Sequence, residues 1–361
     1  MSRSVHAATG VPIHAGFWPA RILRLRGEWQ GIRRWAGFPE LVAEALTGAA
    51  VVSRSMASGT GLLDRATGSW SAELLAQVAM DATQLPPVVA DDEPVGRLST
   101  TAARRWPGLA KASWFAAWGD GACGNIGLGA AGPGTAALMV GTSGALRAVV
   151  TDPAPPIPDG LFAYRLGPGA VVGGQLSEGG GTLAWASRLL GRSRASLDRA
   201  AAAIAPDGHG LTVLPYAFGE RGLGYHDDAH AWLTGLHPGT DAGAIYRAIL
   251  ESIAFGFAAV DERLSDVLGA PPSITASGGA VTPLFARILA DAIGRTIAVA
   301  RAFEASQRGA ALLALRAAGV LADLDAIPSP RSRRVACDPG RAARYAAARS
   351  RQRALYETVL G

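Results

Sequence analysis

Asp120 stands between Gly119 and Gly121. After a glycine-rich bend come two apolar stretches, TAALMV and ALRAVV, joined by Gly141-Thr142-Ser143-Gly144. A carboxylate walled by glycines is sterically open. It suits a general base that takes the proton of a hydroxyl as that oxygen attacks a γ-phosphate. A turn-capping aspartate would look the same in isolation. At 141–144, small residues let backbone N–H groups converge on an anion, and two hydroxyls add donors. An ordinary hairpin turn needs only one Gly or Asn, so two glycines flanking two hydroxyls favour a phosphate. Ser277-Gly278-Gly279-Ala280 lies between an expected strand and an expected helix. In an open α/β sheet that is where a nucleotide meets a helix N-terminus, though a tight strand–helix turn is the alternative.

Other nucleotide chemistries are narrowed by what surrounds these residues. Gly119-x-Gly121-x-x-Gly124 matches the dinucleotide fingerprint by letter, but no acid occurs between Asp120 and Asp152 to hold a ribose. A carboxylate inside the turn would also repel a pyrophosphate. The single lysine, Lys111, has neither the glycines nor the Ser/Thr neighbour of a Walker loop, and the motif set of protein kinases is absent. His226-Asp227-Asp228-Ala229-His230 has metal-ligand residue types. Gly222 and Gly224 just before it argue for a loop, where i,i+4 histidines do not share a face. The reading is a polar substrate-side or interface loop, and no residue is assigned to a metal.

A chain of 361 residues, 49% hydrophobic and 17% charged, can bury the cores of two ordinary domains. The net charge of +5 is concentrated at one end. Residues 331–361 hold eight arginines against Asp338 and Glu357, leaving −1 for the rest. Without aromatic–basic interleaving this is a solvated basic helix, with no nucleic-acid or membrane partner expected. Cys123 and Cys337 are too few for a disulfide framework or a four-cysteine zinc site. With no signal-peptide pattern, the expected location is cytoplasmic.

The elements that must position the candidate groups follow from periodicity. Ile22, Leu25, Trp29 and Ile32 predict an amphipathic, core-facing helix over 18–35, with a second helix over 38–48. Residues 55–64 read as turn-rich, 71–79 as a short helix and 84–96 as loop. A buried strand is expected at 112–118, delivering Asp120 at its C-terminal end. An antiparallel hairpin at 135–150 opens a second unit. After it come strands within 160–175, a helix at 180–191, a polar loop at 215–230 and a long helix at 241–268. A strand at 273–276, a helix to 291, a strand at 296–300, a helix at 305–318 and the basic helix complete the chain. This is an α/β chain with a mixed sheet.

In this order the motifs resemble the FGGY family of carbohydrate kinases, specifically its gluconokinase-like branch. The resemblance is carried by TGVPIHAGFWPARILRLR (9–26), SMASGTGLLD (55–64), WGDGACGNIGLG (118–129), VGTSGALR (140–147) and GGQLSEGGG (173–181). LPYAFGERGLGYHDDAHAWLTGL (214–236), TASGGA (275–280) and EASQRGAALLAL (304–315) continue it. It implies the actin-like ATPase, or ribonuclease H-like, α/β fold. Residues 1–130 would be the remainder of a sugar-side domain, 131–325 an ATP-side domain and 326–361 the basic terminal helix. It also implies Asp120 as catalytic base, Thr142 at the ATP phosphates, Gly278 and Gly279 in the adenosine motif, and Gly180 near the nucleotide. The implied reaction is Mg²⁺-assisted transfer of the ATP γ-phosphate to a primary hydroxyl of a sugar acid or related polyol. Homo-oligomerisation is left open.

The sequence departs from that family in one chemical respect. Members carry an Asp-x-Gly-Thr-type loop that binds phosphate and metal, and neither Asp-x-Gly-Thr nor Asp-x-Gly-Ser occurs in these residues. Smaller departures are Gly222-Leu223 where Ser-Pro is usual, and a shortened connection at 281–285. The expectation is an N-terminally truncated kinase. It would be either active with the missing part supplied separately, or an inactive remnant that at most binds nucleotide or sugar.

Overall fold

The computed structural model describes residues 2–301, 304–324 and 327–361. Its elements begin with α1 (Ser2–Thr9), α2 (Trp18–Glu28), α3 (Phe38–Thr47), β1 (Val52–Ser53), α4 (Arg54–Ser58), β2 (Leu63–Asp64), β3 (Ser69–Trp70) and α5 (Ala72–Gln77). Next are β4 (Val88–Val89), β5 (Pro94–Gly96), α6 (Thr100–Arg105), β6 (Trp114–Phe115), α7 (Asp120–Gly127), β7 (Thr135–Val140), β8 (Gly144–Val150), β9 (Phe162–Leu166) and β10 (Gly169–Leu176). The remainder comprises α8 (Gly180–Leu189), α9 (Arg194–Ala202), β11 (Thr212–Leu214), β12 (Trp232–Thr234), α10 (Ala242–Leu268) and β13 (Ser273–Ser277). After these come α11 (Pro283–Ile293), β14 (Ile297–Ala300), α12 (Ala305–Ala317), β15 (Ser332–Val335) and α13 (Pro339–Leu360).

The chain divides into two units, neither continuous in sequence. Unit 1 takes residues 1–133, 149–172 and 304–328, and unit 2 takes 134–148, 173–303 and 329–361. The expected boundary at 325/326 falls outside the described residues.

In unit 1 the strands ahead of α7 form short pairs: β1 with β4 in parallel, β2 with β3 and β5 with β6 antiparallel. Three expectations are corrected here. The helix expected over 18–35 stops at Glu28, because Gly27 weakens its last turn and Gly31 turns with φ +76°. Of its apolar stripe only Ile22 is buried, and Trp29 is 67% exposed. The loop expected at 84–96 contains β4 and β5. The strand expected at 112–118 shrinks to half-buried Trp114–Phe115, since β5 pairs with it at only two positions, across an irregular register. What fixes the far side of α7 is α12. A Cβ on Gly127 would lie 1.8 Å from the Ala305 carbonyl oxygen, and one on Gly309 1.7 Å from that of Cys123. The two backbones thus approach as closely as only glycine permits.

In unit 2 the expected hairpin forms, with β7 and β8 paired from Ala136↔Ala148 to Val140↔Gly144. Strands run in the order β15-β14-β13-β7-β8-β10. β13 is parallel to both β7 and β14, and β15 is antiparallel to β14. β8 and β10 continue in sequence across the unit boundary, and β9 lies beside β10. The apolar helix α10 starts on an Asp241 cap and ends on left-handed Gly269. Its length and composition would suffice to cross a membrane, yet 83% of its most apolar stretch is buried, so it serves as the core helix of the unit.

The basic helix α13 is docked through part of its surface. Tyr345 and Ala348 are buried, Arg341 pairs with Asp291 at 2.6 Å and Arg349 with Glu262 at 2.6 Å. Beneath it Arg247 pairs with Glu251, whose carboxylate also meets the Tyr345 hydroxyl at 2.9 Å and the His209 ring at 3.0 Å. Burial pushes the Glu251 carboxyl up, but His209 and Arg247 outweigh it and hold the group below the ordinary range.

Candidate active site

In unit 2, three loops meet at the tip of the β7–β8 hairpin. The first is the tip itself, where Gly141, Thr142 and Ser143 are exposed and the Gly141 N–H donates to the Ser143 carbonyl at 2.9 Å. The second is the start of α8. The Gly180 N–H donates to the Gly141 carbonyl at 2.7 Å, and the Gly181 N–H to the Thr142 carbonyl at 2.9 Å. Each such bond contributes about 1 kcal/mol net. Larger residues cannot replace Gly180, because a Cβ there would sit 2.7 Å from the Gly141 oxygen. The third is the β13–α11 turn. Gly278 has φ +117°, and a Cβ on it would lie 2.2 Å from the Val140 carbonyl oxygen. The next N–H but one, that of Ala280, donates to the same Val140 carbonyl at 3.2 Å.

Thr142, Gly180, Gly278 and Gly279 are therefore collected around one hairpin tip. Gly180 spends its N–H on the hairpin, so its part here is to clamp the turn. The exposed hydroxyls of Thr142 and Ser143 and the exposed backbone at Gly278 and Gly279 form a small-residue surface able to take an anion.

In unit 1, Asp120 is the first residue of α7, with Gly119 as N-cap. Its carboxylate is exposed and accepts from the Gly121 N–H at 2.7 Å. The helix N-terminus favours a negative charge at that point. The backbone on either side is pinned. The Gly119 N–H donates to the Ser55 hydroxyl at 3.1 Å, and the Ser306 hydroxyl donates to the Asp120 carbonyl at 3.2 Å. Asp120 thus opens a helix and does not close a buried strand as expected. Burial, and then the Asp120 charge, push the Cys123 thiol up to about 11, so this cysteine stays a packed thiol.

Two groups escaped the sequence reading. Glu178, two residues before Gly180, is 3% exposed, and burial with nearby Glu220 raises its carboxyl to about 8. Asp207, His209 and Glu251 bring ligand atoms within 4.8 Å of one another. Their donors are already engaged by Arg351, Arg247 and Tyr345, and the adjacent guanidinium opposes a cation. The available signal was Arg247 and Glu251 at i,i+4 inside an otherwise apolar helix. The His226–His230 segment forms no helix. His226 packs near Tyr356, with ring centres 6.1 Å apart, and His230 is exposed.

Comparison with known proteins bears on both units. Residues 3–127 match the N-terminal domain of the FGGY family of carbohydrate kinases, and residues 136–318 match its C-terminal domain. The chain is 26% identical to the gluconokinase of Bacillus subtilis over 342 residues, 90% of this chain and 67% of that protein. It is 30% identical to the xylulose kinase of Streptomyces rubiginosus over 295 residues, 79% of this chain and 57% of that protein. Among solved structures, it resembles the gluconate kinase of Lactobacillus acidophilus with a TM-score of 0.92 at 24% identity. That match covers 99% of this chain and 75% of the other. A ligand-bound xylulose kinase from the same organism matches with a TM-score of 0.92 at 25% identity and the same coverage. The fold is thus the mixed α/β fold of the actin-like ATPases. With both domain families matched in order, the chain belongs to the FGGY family of carbohydrate kinases, enzymes that phosphorylate sugars with ATP as phosphate donor.

Proposed function

We propose that this chain is an ATP-dependent kinase for gluconate or a closely related sugar acid or polyol. The observation that carries the reading is the hairpin cradle of unit 2, locked by the Gly180–Gly141 hydrogen bond and the contact of Gly278 on Val140. Its backbone and hydroxyl groups suit the donor's phosphates, with Thr142 and Ser143 donating and Gly278 and Gly279 leaving room for the adenosine. Bound ATP supplies the transferable γ-phosphoryl group. Asp120 of unit 1 takes the proton of the acceptor hydroxyl, and its exposure leaves it free to do so. Gluconate is preferred because the gluconokinase resemblance extends over more of the chain than the xylulose kinase one. The location consistent with this use of ATP is the cytoplasm.

The fit to Mg²⁺ is poorer. The cradle offers hydroxyls and carbonyls but no carboxylate, and Mg²⁺ in such sites is ordinarily held by one or two. These residues contain no Asp-x-Gly-Thr or Asp-x-Gly-Ser to supply one, and the groups of the cradle alone do not fit the metal. The absence of a carboxylate from the cradle among the described residues favours a second reading, a chain that binds nucleotide or sugar without turnover.

A coupled assay of ADP release, run with gluconate, xylulose and glycerol beside fluorescent ATP-analogue binding, separates the readings. Gluconate-dependent turnover supports the kinase. Binding without turnover on any sugar supports the second reading. Absence of both overturns the cradle assignment.

A further inference from the structure

A cavity of about 560 Å³ opens in unit 2 away from the cradle, bounded by the 214–224 loop, α10 and α13. None of Thr142, Gly180, Gly278 or Gly279 lines it. Its volume lies within the usual range for small-molecule sites.

The lining divides by chemistry. It includes Glu220, 3% exposed, whose carboxylate accepts from the Gly224 N–H at 2.8 Å, the Tyr356 hydroxyl at 2.9 Å and, more weakly, the His226 N–H at 3.4 Å. A carboxylate held this way can still accept from ligand hydroxyls, having about four lone-pair positions. The walls are the rings of Tyr216, Phe255 and Tyr356, with Tyr216 and Tyr356 edge-to-face at 6.1 Å. They offer apolar faces for a carbon skeleton. The lining also holds Arg263, Arg349 and Arg353. Arg349 is tied to Glu262, while Arg353 is exposed and enters no ion pair among the described residues. Guanidinium groups there suit a phosphate or carboxylate.

We propose that this cavity is a second, non-catalytic binding site for a small hydroxylated anion, a phosphorylated sugar or a sugar acid. The anionic group lies at the arginines and the hydroxyls reach Glu220. The assignment rests on the lining and is independent of the kinase reading. A smaller cavity shares Tyr216 and Glu220 with it and is also lined by Glu178. Glu178 lies two residues ahead of the Gly180 clamp, so occupancy of the site can bear on the cradle's hairpin.

The test uses the full chain, gluconate 6-phosphate and gluconate as separate probes, calorimetry, and hydrogen exchange read by mass spectrometry. At least one probe is expected to bind and protect residues 213–224 and 349–356. Binding should survive Asp120→Asn and weaken about tenfold, worth about 1.4 kcal/mol, in Arg353→Glu. Ala259→Trp, which fills the cavity from α10, should abolish it while leaving ATP-analogue binding intact. Retention of the melting midpoint in Arg353→Glu, an exposed site, confirms that the fold is unaffected. Protection confined to 140–143 and 278–280, unchanged affinity in Arg353→Glu, or no binding of either probe at millimolar concentration overturns the proposal.

Discussion

In unit 2 the candidate donor-side groups are largely backbone atoms and small hydroxyls, fixed by a ladder of strands that ends in a glycine-clamped tip. In unit 1 the candidate base is one side chain, on a helix that follows a two-residue strand and is held by the close approach of α12. The contrast follows from what each side must do. An anion is gripped by many N–H groups whose geometry tolerates little movement. A single carboxylate needs only its Cα placed and its path kept open. Damage to unit 2 should therefore appear first in nucleotide affinity, and damage to unit 1 in turnover or in the stability of that unit.

The largest expected effect is on turnover. Asp120→Asn should lower kcat on the accepted sugar by about 10²–10⁴-fold, the usual contribution of general-base catalysis. Affinity for a fluorescent ATP analogue should remain within about twofold, well under the tenfold that 1.4 kcal/mol represents. Equal losses in kcat and nucleotide affinity would erase the division of labour between the units. Next is the α7–α12 contact. Gly309→Val has no room beside the Cys123 carbonyl, and overpacking of this kind costs about 1–3 kcal/mol. The melting transition assigned to unit 1 should fall, while hydrogen-exchange protection of β7 and β13 persists. In the cradle, Gly278→Ala must take a left-handed backbone angle and meet the Val140 oxygen. Strain of about 1–3 kcal/mol is expected there, read as roughly tenfold weaker ATP-analogue binding.

How much of this was legible in the sequence differs by unit for the same reason. In unit 2 the hairpin, α10 and α11 are long and periodic, so their existence and limits could be read from the apolar pattern, and the glycines of 141, 180, 278 and 279 marked the tip. In unit 1 the determinants are non-local. The aromatic run around Trp114 reads as a strand, but its length is set by β5, a segment that itself looks like loop. The Ile22–Ile32 periodicity continues beyond the point where Gly27 and Gly31 end the helix. Nothing in the local sequence at Gly127 or Gly309 shows that the two will meet across 182 residues of chain. Glu178 was invisible for a related reason, since only burial distinguishes it from a loop carboxylate.

Glu178 also gives the smallest and sharpest comparison, now within unit 2, because Glu251 is shifted the other way. Glu251 lies below its ordinary range in the folded state, held there by His209 and Arg247 against the cost of burial. Its stabilisation is present above the unfolded carboxylate pKa and is lost as pH falls through the lower folded value. Glu178, raised to about 8 by burial and then by Glu220, binds its proton more tightly when folded. From about pH 4.5 upward the folded state holds more protons than the unfolded one, so this residue's contribution to stability falls with rising pH. The fall is complete above about pH 8. Glu178→Gln keeps the shape and removes the titration. The variant's melting midpoint relative to the parent should therefore climb between pH 5 and pH 9. We expect about 1 kcal/mol, or roughly 2–4 °C, less than the full shift implies because water reaches the carboxylate when the loop opens. A relative midpoint that is flat with pH would mean that Glu178 is ionised and solvated in the folded protein, and the buried-acid contrast with Glu251 would fail.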